Sequence, residues 1–279
     1  AYSANLPILI CEQLQGENRL KTIEILFETY NVPAASICNS SALSILSTGR
    51  ETGIVLDIGH EHTQIAPIYS GFHIPHASQI VNHGGKDVTS YLSSLLIESG
   101  TLYKGYASPY SYNYKYLDDM KESCGFVLFD FDSEIKEKKD IYERTFPDKK
   151  KITFTNEHFK CPEVLFKPNL CDLMMDGVDK LVYDSIMKCD ADIHKDLFAN
   201  IVLTGGTTMF EGFPKRFEKE IGKLNLSNNI VNIVASPQRQ YAAWIGGSIF
   251  ASKNEFPFYA ISKFEYNNIG PGIVNRRCF

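Results

Sequence analysis

Three short stretches carry residue types able to do phosphate chemistry. The first is Asp57-Ile58-Gly59-His60-Glu61-His62, between the strand-like runs 53–56 and 63–69. An aspartate at a strand end can hold a hydrated divalent cation, because magnesium keeps several of its waters. A glycine beside it lets backbone N–H groups approach a phosphate. The same pattern also makes plain hairpin turns, so alone it is a weak signal. The second stretch is Thr204-Gly205-Gly206-Thr207-Thr208, after the apolar run Ile201-Val202-Leu203 and before a helix-like pattern. Two glycines there would let a ligand approach a helix N-terminus closely, or would simply make a tight turn. The third, Gly84-Gly85-Lys86-Asp87, opens another helical pattern and fits either the sugar side of a nucleotide or a capped turn.

Other chemistries find little support. There is no Walker A or dinucleotide glycine pattern and no G-x-S-x-G elbow. The seven cysteines form no C-x-x-C pair, so neither a disulfide framework nor a structural zinc site is expected. His60, His62, His73, His76 and His83 cluster in sequence but lack a nameable third or fourth ligand, and they read as exposed turn residues.

The elements that must position these stretches alternate between α and β. Leu20, Ile23, Leu26, Phe27 and Tyr30 recur at helical spacing, and Asn31-Val32-Pro33 ends that helix. The runs flanking Asp57 and Gly59 form a hairpin with a polar tip. Val88, Tyr91, Leu92, Leu95 and Leu96 mark a helix with Asp87 as its N-cap. Tyrosine-rich 101–118 and charge-rich 132–151 read as exposed loops or short helices of an inserted subdomain. Val178, Leu181, Val182 and Ile186 line a further helix. Ser236-Pro237 starts another, whose apolar face is Tyr241, Trp244, Ile245 and Ile249. Ser262-x-x-Glu265 is a capping box.

Composition narrows the function. The chain has 279 residues, 44% of them hydrophobic and 22% charged, which excludes a mostly disordered protein. A net charge of −5 argues against a general nucleic-acid binder. No apolar run approaches the roughly 18 residues of a membrane span. Ala1-Tyr2-Ser3-Ala4-Asn5 lacks the basic and apolar regions of a secretory signal, so reduced thiols in a cytosolic or nuclear setting are expected, the cytoplasm being favoured.

Taken together, these segments resemble the actin family. Leu203-Thr204-Gly205-Gly206-Thr207-Thr208-Met209-Phe210 carries the likeness most strongly. Ser185-Ile186-Met187-Lys188-Cys189-Asp190, Trp244-Ile245-Gly246-Gly247-Ser248-Ile249 and the C-terminal run from Ile261 to Phe279 extend it. So do Phe27-Glu28-Thr29 and Thr52-Gly53-Ile54-Val55-Leu56-Asp57-x-Gly59. The resemblance implies an α/β, ribonuclease H-like ATPase fold: two related halves around a cleft, the first incomplete. Residues 1–45 plus 238–279 would form the small first half. Residues 46–237 would form the large second half, with an inserted subdomain at about 84–174. It also implies ATP with Mg²⁺ or Ca²⁺, a cytoskeletal setting, and actin, actin-binding proteins or a larger complex as partners, with neither nucleic acid nor membrane. Carried over residue by residue, the nucleotide positions are Asp57, Gly59, Gly85, Lys121, Glu122, Gly205, Gly206, Thr207 and Met209, with Asp57 also on the metal.

The departures from the family matter as much. Roughly the first quarter of an actin has no counterpart here, including one phosphate hairpin and a filament-docking loop. The glutamine that positions the attacking water aligns with Ser40, and the assisting histidine with Gln64. No catalytic residue is therefore expected. Glu61 stands where the family has a glycine. Two like charges about 4 Å apart repel by about 4 kcal/mol at an effective dielectric near 20, about three decades of affinity. Phe210, Gln240 and Asp118 replace a tyrosine, a lysine and an arginine near the base. The expectation is an actin-like structural protein with a degraded cleft. The alternatives are a fragment of a working ATP-binding, filament-forming actin, or an actin-related subunit of a larger complex.

Overall fold

A computed structural model of the chain describes residues 6–13, 18–102, 114–137, 141–145, 151–226 and 229–277. The first strands and helices are β1 (Ile8–Glu12), α1 (Arg19–Glu24), β2 (Ala34–Asn39) and α2 (Ser40–Leu46). Then come β3 (Gly53–Ile58), β4 (Thr63–Tyr69), β5 (Phe72–His73), β6 (Gln79–Val81) and α3 (Gly85–Glu98). The central stretch holds α4 (Tyr114–Cys124), α5 (Phe131–Glu137), β7 (Tyr142–Thr145), β8 (Lys151–Phe154) and α6 (Glu157–Lys160). It is followed by α7 (Val178–Met187), α8 (His194–Phe198), β9 (Ile201–Thr204), α9 (Phe213–Leu224) and β10 (Ile233–Val234). The chain closes with α10 (Ala242–Ala251), α11 (Phe256–Tyr259), β11 (Ile261–Ser262), α12 (Lys263–Ile269) and α13 (Val274–Arg277).

The larger sheet runs β10-β9-β3-β4-β5, with β6 also on β4. Strand β3 is parallel to β9 and antiparallel to β4, so it is paired along both edges. It is also covered on both faces, which explains its nearly continuous apolar sequence. Period-two alternation sorts its side chains. Ile54, Leu56 and Ile58 enter the main core with Ile65, Leu203, Val88 and Phe217. Val55 faces the other way, with Ala66, Ile68, Val202 and Ile45 of α2. A smaller sheet, β1-β2-β11, has its own core of Ile23, Phe27, Ile37, Ile261, Tyr266 and Val274.

Helices α2 and α10 lie between the two sheets. Helix α2 contacts β3 and β4, while α10 contacts β1. Their mutual approach is close enough that a Cβ on Gly246 would sit 1.7 Å from the Leu43 carbonyl oxygen. Glycine is therefore required there by space. This contact overturns the expected apolar face of α10. Its buried residues are Ala242, Gly246 and Gly247, while Trp244 is 74% exposed and Tyr241 and Ile249 are also exposed. The helix also starts later than Ser236-Pro237 suggests, because a 3-10 turn at Arg239–Tyr241 intervenes.

Other expectations shift too. The first helix is α only to Glu24 and continues as a π-helical turn, Ile25–Thr29, closed by Tyr30 N–H on the Ile25 carbonyl. The changed pitch moves its face, and Leu20 and Tyr30 are exposed. Helix α3 is capped at Gly84, not Asp87. Asp87 sits three residues into the helix and accepts the Gly84 N–H at 2.8 Å. Tyr114 and Tyr116 open α4, the helical alternative for that run, and Tyr114 is buried, not exposed; tyrosines 103, 106, 110 and 112 fall outside the described residues. The hairpin around Asp57 and the Ser262–Glu265 capping box form as their sequences indicate.

Candidate functional site

The Gly59 carbonyl is where the three sequence stretches meet. It accepts the Gly85 N–H at 2.9 Å and the Thr207 hydroxyl at 2.8 Å, while Gly59 N–H donates to the His62 carbonyl. The Lys86 N–H donates to the His60 carbonyl at 2.7 Å. These bonds pin the β3–β4 turn to the start of α3 and to the turn after β9. That last turn needs Gly205: its φ is +86°, and a Cβ there would meet the Ile58 carbonyl at 2.3 Å and an Asp57 carboxylate oxygen at 2.5 Å. Beyond Gly205 the chain makes a 3-10 turn at Gly206–Met209 and only later enters α9. The glycine pair therefore leads into that short turn, not into the helix N-terminus expected for it.

A cavity of about 310 Å³ opens over this junction. Gly59, Lys121, Glu122, Gly206, Thr207 and Met209 line it, joined by His60, Phe210 and Gln240. Asp57, Gly85 and Gly205 are absent from that wall and stand behind it, holding the turns in place. A larger open groove of about 700 Å³, beside Phe126, Tyr142, His158 and Pro214, contains none of the expected residues. The smaller cavity, where the motifs converge, is the candidate site.

Glu61 corrects an expectation. Its side chain is 63% exposed, lies 3.8 Å from His62, and does not line the cavity. The repulsion expected from a facing carboxylate is weakened by solvent screening at such a position. His83 corrects another: it is fully buried, not an exposed turn residue. Its Nδ1 lies 3.1 Å from Asp87 Oδ2 and its Nε2 lies 3.0 Å from the Val164 carbonyl. Burial pushes the Asp87 carboxyl up, but the His83 ring, the Gly84 N–H and Lys86 together hold it below the usual range. The opposite holds for Asp57. Burial raises its carboxyl above the ordinary range, with the Thr204 hydroxyl opposing. A buried carboxylate of that kind is chemically suited to a cation. Among the described residues, no group of three or more His, Cys, Asp or Glu could hold a metal by itself. Asp57 would have to share a cation with ligand oxygens or water.

The corner expected to position water is occupied differently. Gln64 Nε2 donates to Ser40 Oγ at 3.2 Å and also to Ser41 Oγ. All three residues are buried. Composition and spacing gave no signal for Ser41. Arg239 was likewise missed. It is buried with no carboxylate partner among the described residues, and donates to the Thr208 hydroxyl and carbonyl and to the Ser236 carbonyl. Its own carbonyl accepts the Gly205 N–H. Arg239 therefore ties the glycine turn to the segment leading into α10. Asp118 and Lys121, three apart on α4, form an ion pair at 2.9 Å that i,i+3 spacing could have suggested.

A mixed α/β sheet covered on both faces, a second, smaller sheet with its own core, and turns converging on one cavity fit the actin-like α/β class. The family model described as Actin matches residues 2–279, and the chain belongs to that family.

Proposed function

We propose that this chain is an actin-like structural protein of the cytoplasm and cytoskeleton, with a cleft that binds ATP weakly and hydrolyses it little or not at all. Its halves are residues 1–45 plus 238–279, and residues 46–237. The observation that carries the reading is the Gln64 amide on Ser40 and Ser41. Phosphoryl transfer to water depends on orienting the water and stabilising charge. The short Ser40 hydroxyl stands for the family's glutamine and the Gln64 amide for its histidine, and the two are bonded to each other. The phosphate-side turns at Gly59, Gly206 and Thr207 support retained binding of a nucleotide. Asp57 would hold its Mg²⁺ or Ca²⁺, whose chemistry there is neutralisation of phosphate charge. The experiment is acid extraction of nucleotide from protein purified in Mg²⁺, with phosphate release followed over hours. Substoichiometric nucleotide and no steady release are expected. Stoichiometric ATP with continuous release would overturn the reading.

Exposed apolar side chains favour a second reading, a subunit that works against partners such as actin or a larger assembly. Trp244, Phe258 and Phe264 are each about three-quarters exposed and belong to the α10–α12 region. Such side chains in number mark interaction surfaces. Co-sedimentation with actin filaments, and co-purification of large partners, separate the two readings.

A further inference from the structure

The buried ring of His83 stands between two acceptors. Its Nε2 lies 3.0 Å from the Val164 carbonyl, in the 3-10 turn Cys161–Leu165. A carbonyl oxygen can only accept. Its Nδ1 lies 3.1 Å from Asp87 Oδ2, which also accepts the Gly84 N–H at 2.8 Å. Asp87 is an acceptor as well: against the effect of burial, the His83 ring, the Gly84 N–H and Lys86 hold its carboxyl below the usual range. A neutral imidazole has one N–H and can serve only one of these partners, whereas an imidazolium donates from both nitrogens. The other titratable groups around the ring are neutral, engaged or in solvent. Burial keeps Cys161, Cys171 and Tyr114 in their uncharged forms. Glu163, beside Val164, is paired with Arg216 and Lys167. On α6, Glu157 accepts the Thr155 and Asn156 N–H groups, and His158 packs against the rings of Phe126, Phe154 and Phe159. Lys86 is exposed.

What the ring holds is the start of α3. The His83 carbonyl accepts the Thr63 hydroxyl of β4 at 2.6 Å. From Gly84 onward the backbone lies against the β3–β4 turn, with Gly85 N–H on the Gly59 carbonyl and Lys86 N–H on the His60 carbonyl. The approach is so close that a Cβ on Gly84 would sit 2.8 Å from both carbonyl oxygens. Gly59 and His60 line the cavity. A chain of bonds therefore runs from Val164 through His83, Asp87 and Gly84 to the cavity wall. We propose that His83 is a positioning residue: as an imidazolium it ties the Gly59 turn to the Cys161–Leu165 turn, and the cleft's grip on its ligand loosens when rising pH takes one ring proton. The proposal rests on the nucleotide reading above and adds the regulation of that site. Losing either proton leaves a buried acceptor without its donor, which strains the junction. The Asp87 side chain is 29% exposed, so the proton has a way out to water.

The first measurement is nitrogen-15 NMR of the imidazole rings of the full chain, with His83→Gln assigning the signal. His83→Asn is carried alongside in case the first variant does not fold, and circular dichroism checks both. Both His83 nitrogens should carry protons near neutral pH, and one bare nitrogen would overturn the proposal. Asp87→Asn removes the facing charge, so its ring should lose a proton at lower pH; an unmoved titration would overturn the proposal too. The second measurement is Mg-ATP affinity against pH. The wild type should weaken on the order of tenfold, about 1.4 kcal/mol, across the ring titration that NMR records. His83→Gln, which donates but does not titrate, should lack that step, a difference that a merely structural role would not produce. Equal pH profiles would overturn the positioning role. If no protein binds Mg-ATP, the nucleotide reading fails, and the clamp is judged by hydrogen exchange at the Gly85 and Lys86 amides. Protection that falls through the ring titration in the wild type but not in His83→Gln supports the clamp, and matching profiles overturn it.

Discussion

Asp57 and Asp87 show how two carboxylates of one site come to oppose each other. Asp57 is raised by burial, so its ionised form is disfavoured in the folded chain and stability at that group rises as pH falls. Asp57→Asn should therefore raise the urea midpoint at pH 7 while weakening Mg²⁺ binding, and the stability difference should shrink toward pH 4. A lower midpoint for the variant would contradict this. Asp87 has the reverse sign. Its folded value lies below the unfolded one, so its stabilisation is complete above the ordinary carboxylate range and is lost as pH falls through it. Glu265 behaves alike: the Ser262 N–H and then Arg277 hold it at about 2. Acid titration of stability should show Asp87→Asn losing less than the wild type between about pH 5 and pH 3. An identical acid limb would refute the assignment. The place of Asp57 near the end of β3, beside the Gly59 turn, was legible from the sequence. The Asp87 environment was not, because its partner His83 is buried by residues as remote as Val164.

At the scale of elements, α2 and α10 decide how the two sheets meet. Adding a methyl group at Gly246 would drive the helices apart at Leu43. Gly246→Ala should cost about 3 kcal/mol, the upper part of the range for overpacked sites. Gly222, on α9, has open space around the position a Cβ would take, with nothing within 4 Å, and no positive φ. Gly222→Ala should instead stabilise by up to about 1 kcal/mol, as expected for a helix interior. Urea melts of both variants check the pair, and a neutral Gly246→Ala would remove the packing argument. The strands were legible because β3 and β4 are short, largely apolar runs bounded by turn residues. Helix α10 misled for a physical reason. Apolarity predicts burial only where an element packs by large side chains, and α10 packs by its glycines and an alanine.

For the whole molecule, the cleft was legible as three glycine-bearing turns, since each follows or opens a regular element. Their convergence on one carbonyl oxygen was not, because contacts such as Thr207 to Gly59 span 148 positions. The same separation makes the site a product of distant segments: α3, β3, the turn after β9 and the stretch carrying Arg239 and Gln240 must all be in place before the cavity exists. Nucleotide bound there should therefore raise the thermal midpoint of the chain, by the mass-action rule that stabilisation grows with ligand concentration over its dissociation constant. A midpoint insensitive to millimolar Mg-ATP would indicate that the turns cradle no nucleotide.

Trp244 is the chain's single tryptophan, and it stands in solvent on α10, outside both larger cores. Its emission is thus a lamp fixed to one side of the molecule. It will report the wet surroundings of α10, shift to the blue when something covers that face, and stay dim to events in the distant main core. Fluorescence and far-ultraviolet dichroism consequently watch different parts of the same protein, and melting curves that fail to coincide would mean that α10 and the main core do not unfold in one step.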